Sequence, residues 1–322
     1  MPVGVKETVL AHLEAHKGQW FSGEELAGIL SVSRSAVWKA VNSLRKAGYS
    51  IEAVTNRGYC LPQNTDILSA TGIRSRLGPE LADLELLVLP EVESTNDFLR
   101  QMPHAPEGTV VIAGSQLAGR GRRGREFFSP PDTGVYFSIL LRPRQLGAED
   151  SLLLTTMAAA AMCQALEAMG VEHPGIKWVN DIFVNGKKVC GILTEGALSM
   201  ETGLLEQAVL GVGINLYPPR NGFPGELEAT AGAVFPESGP DFKNRLTAEF
   251  LNRFFSLYRA QDSGLEIYRN HSLVIGREVE VLQGEGIRKA RVLSIDDRCR
   301  LSLRYETGEE ALLSWGEIRL RL

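Results

Sequence analysis

The sequence has no apolar stretch long enough to cross a bilayer; its longest candidates, Leu152–Cys163 and Val135–Leu141, are too short or are broken by Thr or Ser. Cysteine is scarce. The four present (Cys60, Cys163, Cys190, Cys299) lie far apart with no CxxC pair, which excludes a disulfide scaffold and suggests free thiols in a reducing compartment. There is no internal repeat and no low-complexity tract, and 44% apolar with 23% charged residues rules out disorder and collagen. The start, MPVGVKETVL, lacks a basic segment followed by an apolar core, so no secretory signal is expected. The five histidines form no HExxH, and none adjoins Ser or Cys in a nucleophile motif. His12 and His16 share a helix face, but two ligands without a third are expected to be surface histidines. No GxxxxGK[ST] occurs, so there is no P-loop. A soluble, cytoplasmic protein of two or three domains is expected from 322 residues.

What is present begins with a charge asymmetry. The first 62 residues hold seven Lys or Arg against five Asp or Glu, in a chain whose net charge is −5. A mildly basic head thus precedes an acidic body. That head reads as three helices and a hairpin: Val5–His16, Gly23–Leu30, a third from the N-cap Ser33 to Ala47 closed by Gly48, then strands Ile51–Val54 and Tyr59–Leu61 around Thr55-Asn56-Arg57-Gly58. On the third helix Val37, Val41 and Leu44 face inward, leaving Arg34, Ser35, Trp38, Lys39, Asn42 and Arg45 in front. An apolar back with a short polar and basic front is what reading a DNA groove requires, so the pattern is a winged helix-turn-helix. The plainer alternative is a three-helix cap whose polar face is merely solvated.

Pro62-Gln63-Asn64-Thr65-Asp66 marks a boundary, and from Ile67 strands and helices mix. Glu85–Leu89 and Thr109–Ala113 read as strands with a helix from about Thr95 to Met102 between them. Val135–Leu141 is an apolar strand, Ser151–Met169 a long Ala-rich helix, and Asn185-Gly186 a type I′ turn joining Ile182–Val184 to Val189–Leu193. Ala208–Leu216 adds a strand and Asp241–Ala260 a helix. After Gly276 come short alternating strands, Glu278–Leu282, Ala290–Ile295, Leu301–Tyr305, Ala311–Ser314 and Ile318–Leu320, a small barrel or sandwich. Hairpin-type strands with flanking helices argue for an α+β fold. Three domains are expected: residues 1–64, 65–270 and 271–322.

The densest chemical signal is Gly119-Arg120-Gly121-Arg122-Arg123-Gly124-Arg125. Glycines let backbone wrap a ligand closely, and arginines give forked donors to phosphate or carboxylate. The run matches GxGxxG, yet Phe127-Phe128-Ser129-Pro130-Pro131 and a strand follow it, where a dinucleotide-binding unit needs a helix. A phosphate-binding loop that is ordered by its ligand and acts as a lid is expected.

Other motifs agree with it. Lys177-Trp178-Val179-Asn180-Asp181, Lys187-Lys188-Val189-Cys190-Gly191-Ile192-Leu193, Gly211-Val212-Gly213-Ile214-Asn215, Glu93-Ser94-Thr95-Asn96 and Ser115-Gln116 all stand in the same central segment. Together with the arginine loop they resemble the biotin–protein ligases: GRGRRGR, KWPND with Val179 where proline is usual, K-x-x-G-I-L, GxGIN and ESTN. With the winged helix in front, the resemblance is to the bifunctional biotin ligase/biotin-operon repressors, from about Val5 to Arg321. It implies a class II synthetase-like catalytic domain and a C-terminal SH3-like barrel.

The resemblance also implies roles. Ser94, Thr95, Asn96 and Gln116 would line the ureido pocket of biotin, although at a helix start the first three could equally be caps. Arg120, Gly121 and Arg122 would meet the biotin carboxylate and α-phosphate, with Gly191 beside them. Arg120, Arg122 and Lys188 are the catalytic candidates; spacing alone does not separate Lys188 from Lys187. Arg123, Lys177, Asn180, Asp181 and Asn215 would bind ATP, with Asp181 on its Mg2+. Trp178 is either an adenine shelf or core. Ser314-Trp315-Gly316-Glu317 resembles a terminal barrel motif that would close over ATP or the carrier.

The implied activity is formation of biotinyl-5′-AMP and transfer of biotin to a lysine of a biotin carboxyl carrier protein. Biotin-responsive repression would follow through operator DNA bound by an adenylate-loaded homodimer. No structural metal and no membrane partner are expected. A lipoate or octanoate ligase on the same sheet, or a biotin-sensing repressor without ligase activity, are the alternatives.

Overall fold

The computed structural model describes residues 4–143, 146–147, 151–199, 201–283, 286–314 and 316–320. The described chain forms two compact units, Met1–Ala82 with Glu237–Glu249, and Asp83–Pro236 with Phe250–Leu322.

The first unit opens with helices α1 (Val5–Ala15), α2 (Gly23–Ile29) and α3 (Arg34–Lys46), then strands β1 (Glu52–Val54) and β2 (Gly58–Cys60). Ser22 starts α2 with a reciprocal capping box to Glu25, and Ser33 caps α3 by accepting from Ala36 N at 3.2 Å. Val9, Leu13, Leu26, Val37, Val41, Leu44 and Leu61 form one core. The unit extends past the Pro62–Asp66 boundary for a physical reason. Lys17 sits between Glu14 and Asp241, 2.8 Å from each. Asp241 also takes Arg76 Nε at 2.9 Å and Asn244 Nδ2 at 2.7 Å. Asn244 in turn accepts from Ser69 N, the cap of α4 (Ala70–Arg74), at 2.9 Å. This buried ionic knot ties later segments to α1.

The second unit contains a seven-stranded sheet. In chain order its elements are β3 (Leu86–Val92), α5 (Thr95–Arg100), β4 (Val110–Gln116), β5 (Gly134–Leu141), α6 (Ser151–Ala168), β6 (Gly175–Lys177), β7 (Asp181–Val184), β8 (Lys187–Leu198) and β9 (Leu205–Asn215). The strand order is β3-β4-β5-β9-β8-β7-β6. Of these neighbours β3 and β4, joined through α5, run parallel; the other pairs are antiparallel. Asn185 and Gly186 both have positive φ, 50° and 73°, as a type I′ turn requires. The β8–β9 hairpin runs further than the sequence suggests, pairing as far as Leu198 with Leu205. Apolar alternation fades there while backbone pairing continues. Ala158 to Ala161 of α6 are fully buried, and their small side chains let the helix lie close to the sheet. Gly175–Lys177, which sequence reading left unassigned, is an edge strand.

Three helices follow: α7 (Leu227–Thr230), α8 (Phe242–Ala260) and α9 (Leu265–Asn270). Phe250 of α8 packs on Phe137 of β5 with centroids 5.1 Å apart. The chain ends in β10 (Glu278–Gln283), β11 (Gly286–Ile295), β12 (Leu301–Tyr305), β13 (Glu310–Leu313) and β14 (Glu317–Arg319), an antiparallel sheet ordered β13-β12-β11-β10-β14. Val279, Val281, Val292, Leu301, Leu303, Leu313 and Ile318 alternate into its core. The α+β reading, with a winged helix, a mixed central sheet and a small C-terminal β domain, agrees with this architecture. Among the described residues no helix is long and apolar enough to cross a membrane.

Candidate active site

A cavity of about 540 Å3 opens on the central sheet. Its first wall is the start of α5. Ser94 caps that helix through Asp97 N at 3.4 Å, so its capping role is real, and Ser94, Thr95 and Asn96 also line the cavity. Thr95 N donates to Gln116 Oε1 at 2.9 Å and Thr95 Oγ1 donates to the same oxygen at 3.1 Å. Gln116 Nε2 donates to Ser129 Oγ at 3.0 Å. Ser138 Oγ points at Thr95 Oγ1 (2.8 Å) and Asn96 Oδ1 (2.6 Å), and Asn96 Nδ2 donates to Glu195 Oε2 at 2.8 Å. Sequence reading missed Ser138 and Glu195. The available signal was Ser138 as the one small polar side chain in the buried strand Gly134–Leu141.

The floor is Phe127. Gly191 and Gly213 are cross-strand partners, and a Cβ built on either would meet the Phe127 ring, at 3.0 Å and 2.6 Å. Gly211 makes the same allowance for Asn96, whose Oδ1 would lie 2.2 Å from a Cβ there. These glycines are therefore packing devices for cavity-facing side chains.

The arginine loop forms the second wall. Its base is a short antiparallel bridge, Arg120 with Glu126, with Gly121 N donating to Arg125 O at 2.7 Å. Its tip, Arg122–Gly124, is one 3-10 turn with Arg123 in the left-handed region at φ 58°. Arg120, Gly121, Arg122, Arg123 and Arg125 all line the cavity. Arg120 bonds to Asp97 Oδ1 at 2.8 Å, and Arg122 reaches Asn180 Oδ1 at 3.3 Å.

The third wall separates the two lysines that spacing left equal. Lys188 lines the cavity, 2.6 Å from Asp181 Oδ1 and 5.9 Å from the Phe127 centroid. Lys187 instead donates to the carbonyls of Glu228 and Ala229. Asn180 Nδ2 donates to Ile192 O at 2.8 Å, which fixes the Asn180-Asp181 corner on β8. Lys177, Trp178 and Gly191 also border the cavity. Trp178 is 5% exposed and donates from Nε1 to Cys299 O at 2.8 Å, so it is chiefly core. The Trp178–Val179 peptide is cis.

Asn215 stands apart. It is buried, donates to Gly232 O at 3.1 Å and is not among the lining residues. Cys190 is fully enclosed and burial pushes its thiol far up, so it is no nucleophile. Among the described residues no group of three His, Cys, Asp or Glu could hold a metal. His12 and His16 stack at 4.4 Å without a third ligand. Trp315 and the Glu317 side chain, parts of the terminal motif, lie outside the described residues; Gly316, Ile318 and Leu320 border the cavity.

On α3, Val37, Ala40, Val41 and Leu44 are buried, Arg34, Ser35, Lys39 and Arg45 are exposed, and Asn42 is half-buried. Trp38 is 58% exposed, unusual for an indole on a monomer surface.

The family model for the biotin/lipoate A/B protein ligases matches residues 88–215, and an HTH domain model matches residues 5–60. The bifunctional ligase/repressor BirA of Bacillus spizizenii is 33% identical over 304 residues, covering 92% of this chain and 93% of that protein. The chain belongs to the BirA family. A second BirA, from Escherichia coli K12, is 36% identical over 201 residues, 62% of this chain and 60% of that one. Among solved structures, the biotin protein ligase from Aquifex aeolicus in complex with biotin and ATP superposes with a TM-score of 0.62 at 28% identity, covering 74% of this chain and 98% of that chain. The BirA likeness thus spans both the winged helix and the sheet that carries the cavity.

Proposed function

We propose that this BirA-family chain is an ATP-dependent biotin–protein ligase and a biotin-responsive repressor. The cavity carries the reading: a hydrogen-bonding end wall, an apolar floor, and a cationic wall of Arg122, Arg123 and Lys188 around one space.

Biotin's ureido group offers N–H donors and a C=O acceptor. Thr95 has its proton committed to Gln116 and one lone pair facing Ser138 Oγ, which leaves its second lone pair to accept. Gln116 Nε2 has one N–H on Ser129 and a second free to donate. A plain acyl chain would leave that Gln116 N–H unsatisfied, at a cost of about 1–3 kcal/mol for a buried donor. This favours biotin over lipoate or octanoate.

In the first half-reaction the biotin carboxylate attacks the α-phosphate of ATP, the P–O bond to pyrophosphate breaks, and biotinyl-5′-AMP forms. Two anions must approach, so Arg122 and Arg123 offset their repulsion and Lys188 follows the carboxylate as it becomes an anhydride. Lys177, Asn180 and Asp181 face the nucleotide. The magnesium ion of ATP fits one carboxylate, Asp181, with phosphates and waters completing its shell; it would neutralise charge on the leaving pyrophosphate. In the second half-reaction a neutral lysine of a biotin carboxyl carrier protein attacks the acyl carbon, an amide bond forms and AMP leaves. No protein nucleophile is needed.

When carrier is scarce, the adenylate-loaded protein pairs as a homodimer and sets two α3 helices on a two-fold operator, with half-sites about one DNA turn or a multiple apart. The test is mass spectrometry of an apo carrier domain incubated with the protein and MgATP plus biotin, lipoate or octanoate. A biotinyl mass gain on one lysine, abolished by Lys188→Ala or Arg122→Ala, is expected. A gain with lipoate or octanoate alone would overturn the biotin assignment. Binding of biotin without transfer would leave only the repressor.

A further inference from the structure

Arg120 is held between two carboxylates. Its NH1 lies 2.8 Å from Asp97 Oδ1 and its NH2 3.4 Å from Glu195 Oε1, so each arm of the fork rests on a different carboxylate. Those carboxylates belong to scaffold elements, α5 and β8. Arg100 bridges the same two, pairing with Asp97 and reaching Glu195 Oε1 at 3.1 Å. The second oxygen of Glu195 takes Asn96 Nδ2 at 2.8 Å. Asp97 feels two opposed influences: partial burial raises its pKa, but hydrogen bonds from Arg100 and Arg120 prevail and hold it below the usual carboxylate value. The quartet is therefore an ionic network at the base of the loop whose tip carries Arg122 and Arg123.

We infer that Asp97 and Glu195 are positioning residues that fasten the base of the arginine loop through Arg120, and that Glu195 also steadies the ureido wall through Asn96. This rests on the proposed placing of biotin and phosphate in the cavity. A fork whose two arms are divided between scaffold carboxylates holds the base of the loop, so Arg120 works as the fastener. The four side chains remain 23–43% exposed. An isolated exposed pair contributes little, and only a network of this kind yields a measurable effect. The expected size is accordingly about tenfold, below the hundredfold or more of a direct anion contact.

The opposite mechanism has the opposite sign. If the two carboxylates merely sequestered Arg120 from its ligand, removing them would free a cation and tighten binding. Asp97→Asn, Glu195→Gln, Arg120→Gln and the Arg120→Gln/Glu195→Gln double variant are compared by the release rate of preformed biotinyl-5′-AMP, and by trypsin cleavage at the loop arginines in the ligand-free protein. Fastening predicts about tenfold faster release and faster cleavage in each single variant, KM raised more than kcat is lowered, an unchanged Tm, and a double variant no worse than the poorer single. Slower release, or unchanged release and cleavage while Arg122→Ala still abolishes adenylation, would overturn it. If Arg122→Ala also spared adenylation, the placing of phosphate at the loop would fall, and this inference with it.

Discussion

The recognition helix and the ligase cavity deploy polar side chains in opposite ways. On α3 the polar groups are exposed on an apolar back, so each would meet its own stretch of DNA. Around the cavity Thr95, Asn96, Ser138 and Gln116 are bonded to one another, so each holds its neighbour's proton or lone pair. The first arrangement should respond to substitution additively and locally, the second as a unit. The sharpest test lies where charge is handled. Lys188→Ala and Arg122→Ala should each lower the rate of adenylate formation by about 10²–10³, read by pyrophosphate release, while non-specific DNA binding through α3 stays at the parent level. A parallel fall in DNA binding would mean the two regions are coupled and the contrast is wrong.

A smaller break comes from packing. Gly211→Ala places a methyl 2.2 Å from Asn96 Oδ1, so Asn96 must leave its bonds to Ser138 and Glu195. The KM for biotin should rise about 10- to 100-fold, because a displacement of about 1 Å in a positioned group has that effect, while the KM for ATP changes far less. Equal rises in both would show that Asn96 does not belong to the ureido wall. On α3 the response should instead be graded. Lys39→Ala and Arg45→Ala should each weaken operator binding and lower its salt slope by about 0.9 for every phosphate the variant no longer neutralises. The pair should be additive, and ligation should be untouched.

The contrast also explains what the sequence disclosed. Helix spacing exposed α3, since Val37, Val41 and Leu44 recur at its period, and Ser33 marked its start. The Asn185-Gly186 turn announced the β7–β8 hairpin because few residue pairs accept positive φ twice. The arginine loop and Lys188 were visible by kind and by family resemblance. Ser138 and Glu195 were not, because their roles arise from partners on other strands; no local spacing relates residue 96 to residue 195. Asn215 shows the converse. It sits in a recognisable motif, yet its side chain donates to Gly232 O and does not border the cavity. Gly175–Lys177 escaped because three residues at an edge carry no periodicity, and the ionic knot escaped because Lys17 and Asp241 are remote in sequence.

That knot supplies the gentlest test, since it buries polar groups as the cavity does but inside the DNA-binding unit. Glu14 bonds Lys17 through one oxygen, while its other oxygen is buried without a partner. Burial raises its pKa above the ordinary glutamate value, outweighing the lowering by Lys17. The sign follows from linkage. A carboxyl whose folded pKa is raised contributes stability below its unfolded value, and that contribution is lost as pH rises through the folded value. At neutral pH the buried carboxylate is therefore a liability that Glu14→Gln removes, while Lys17 keeps Asp241 at 2.8 Å. The variant should melt about 2–4 °C higher at pH 7.5, the shift expected of about 1 kcal/mol, and the gain should vanish near pH 4. Calorimetry across that range decides. A lower Tm at pH 7.5 would mean that the ionised Glu14–Lys17 pair stabilises the unit, and that its buried polar groups act as a unit just as the cavity's do.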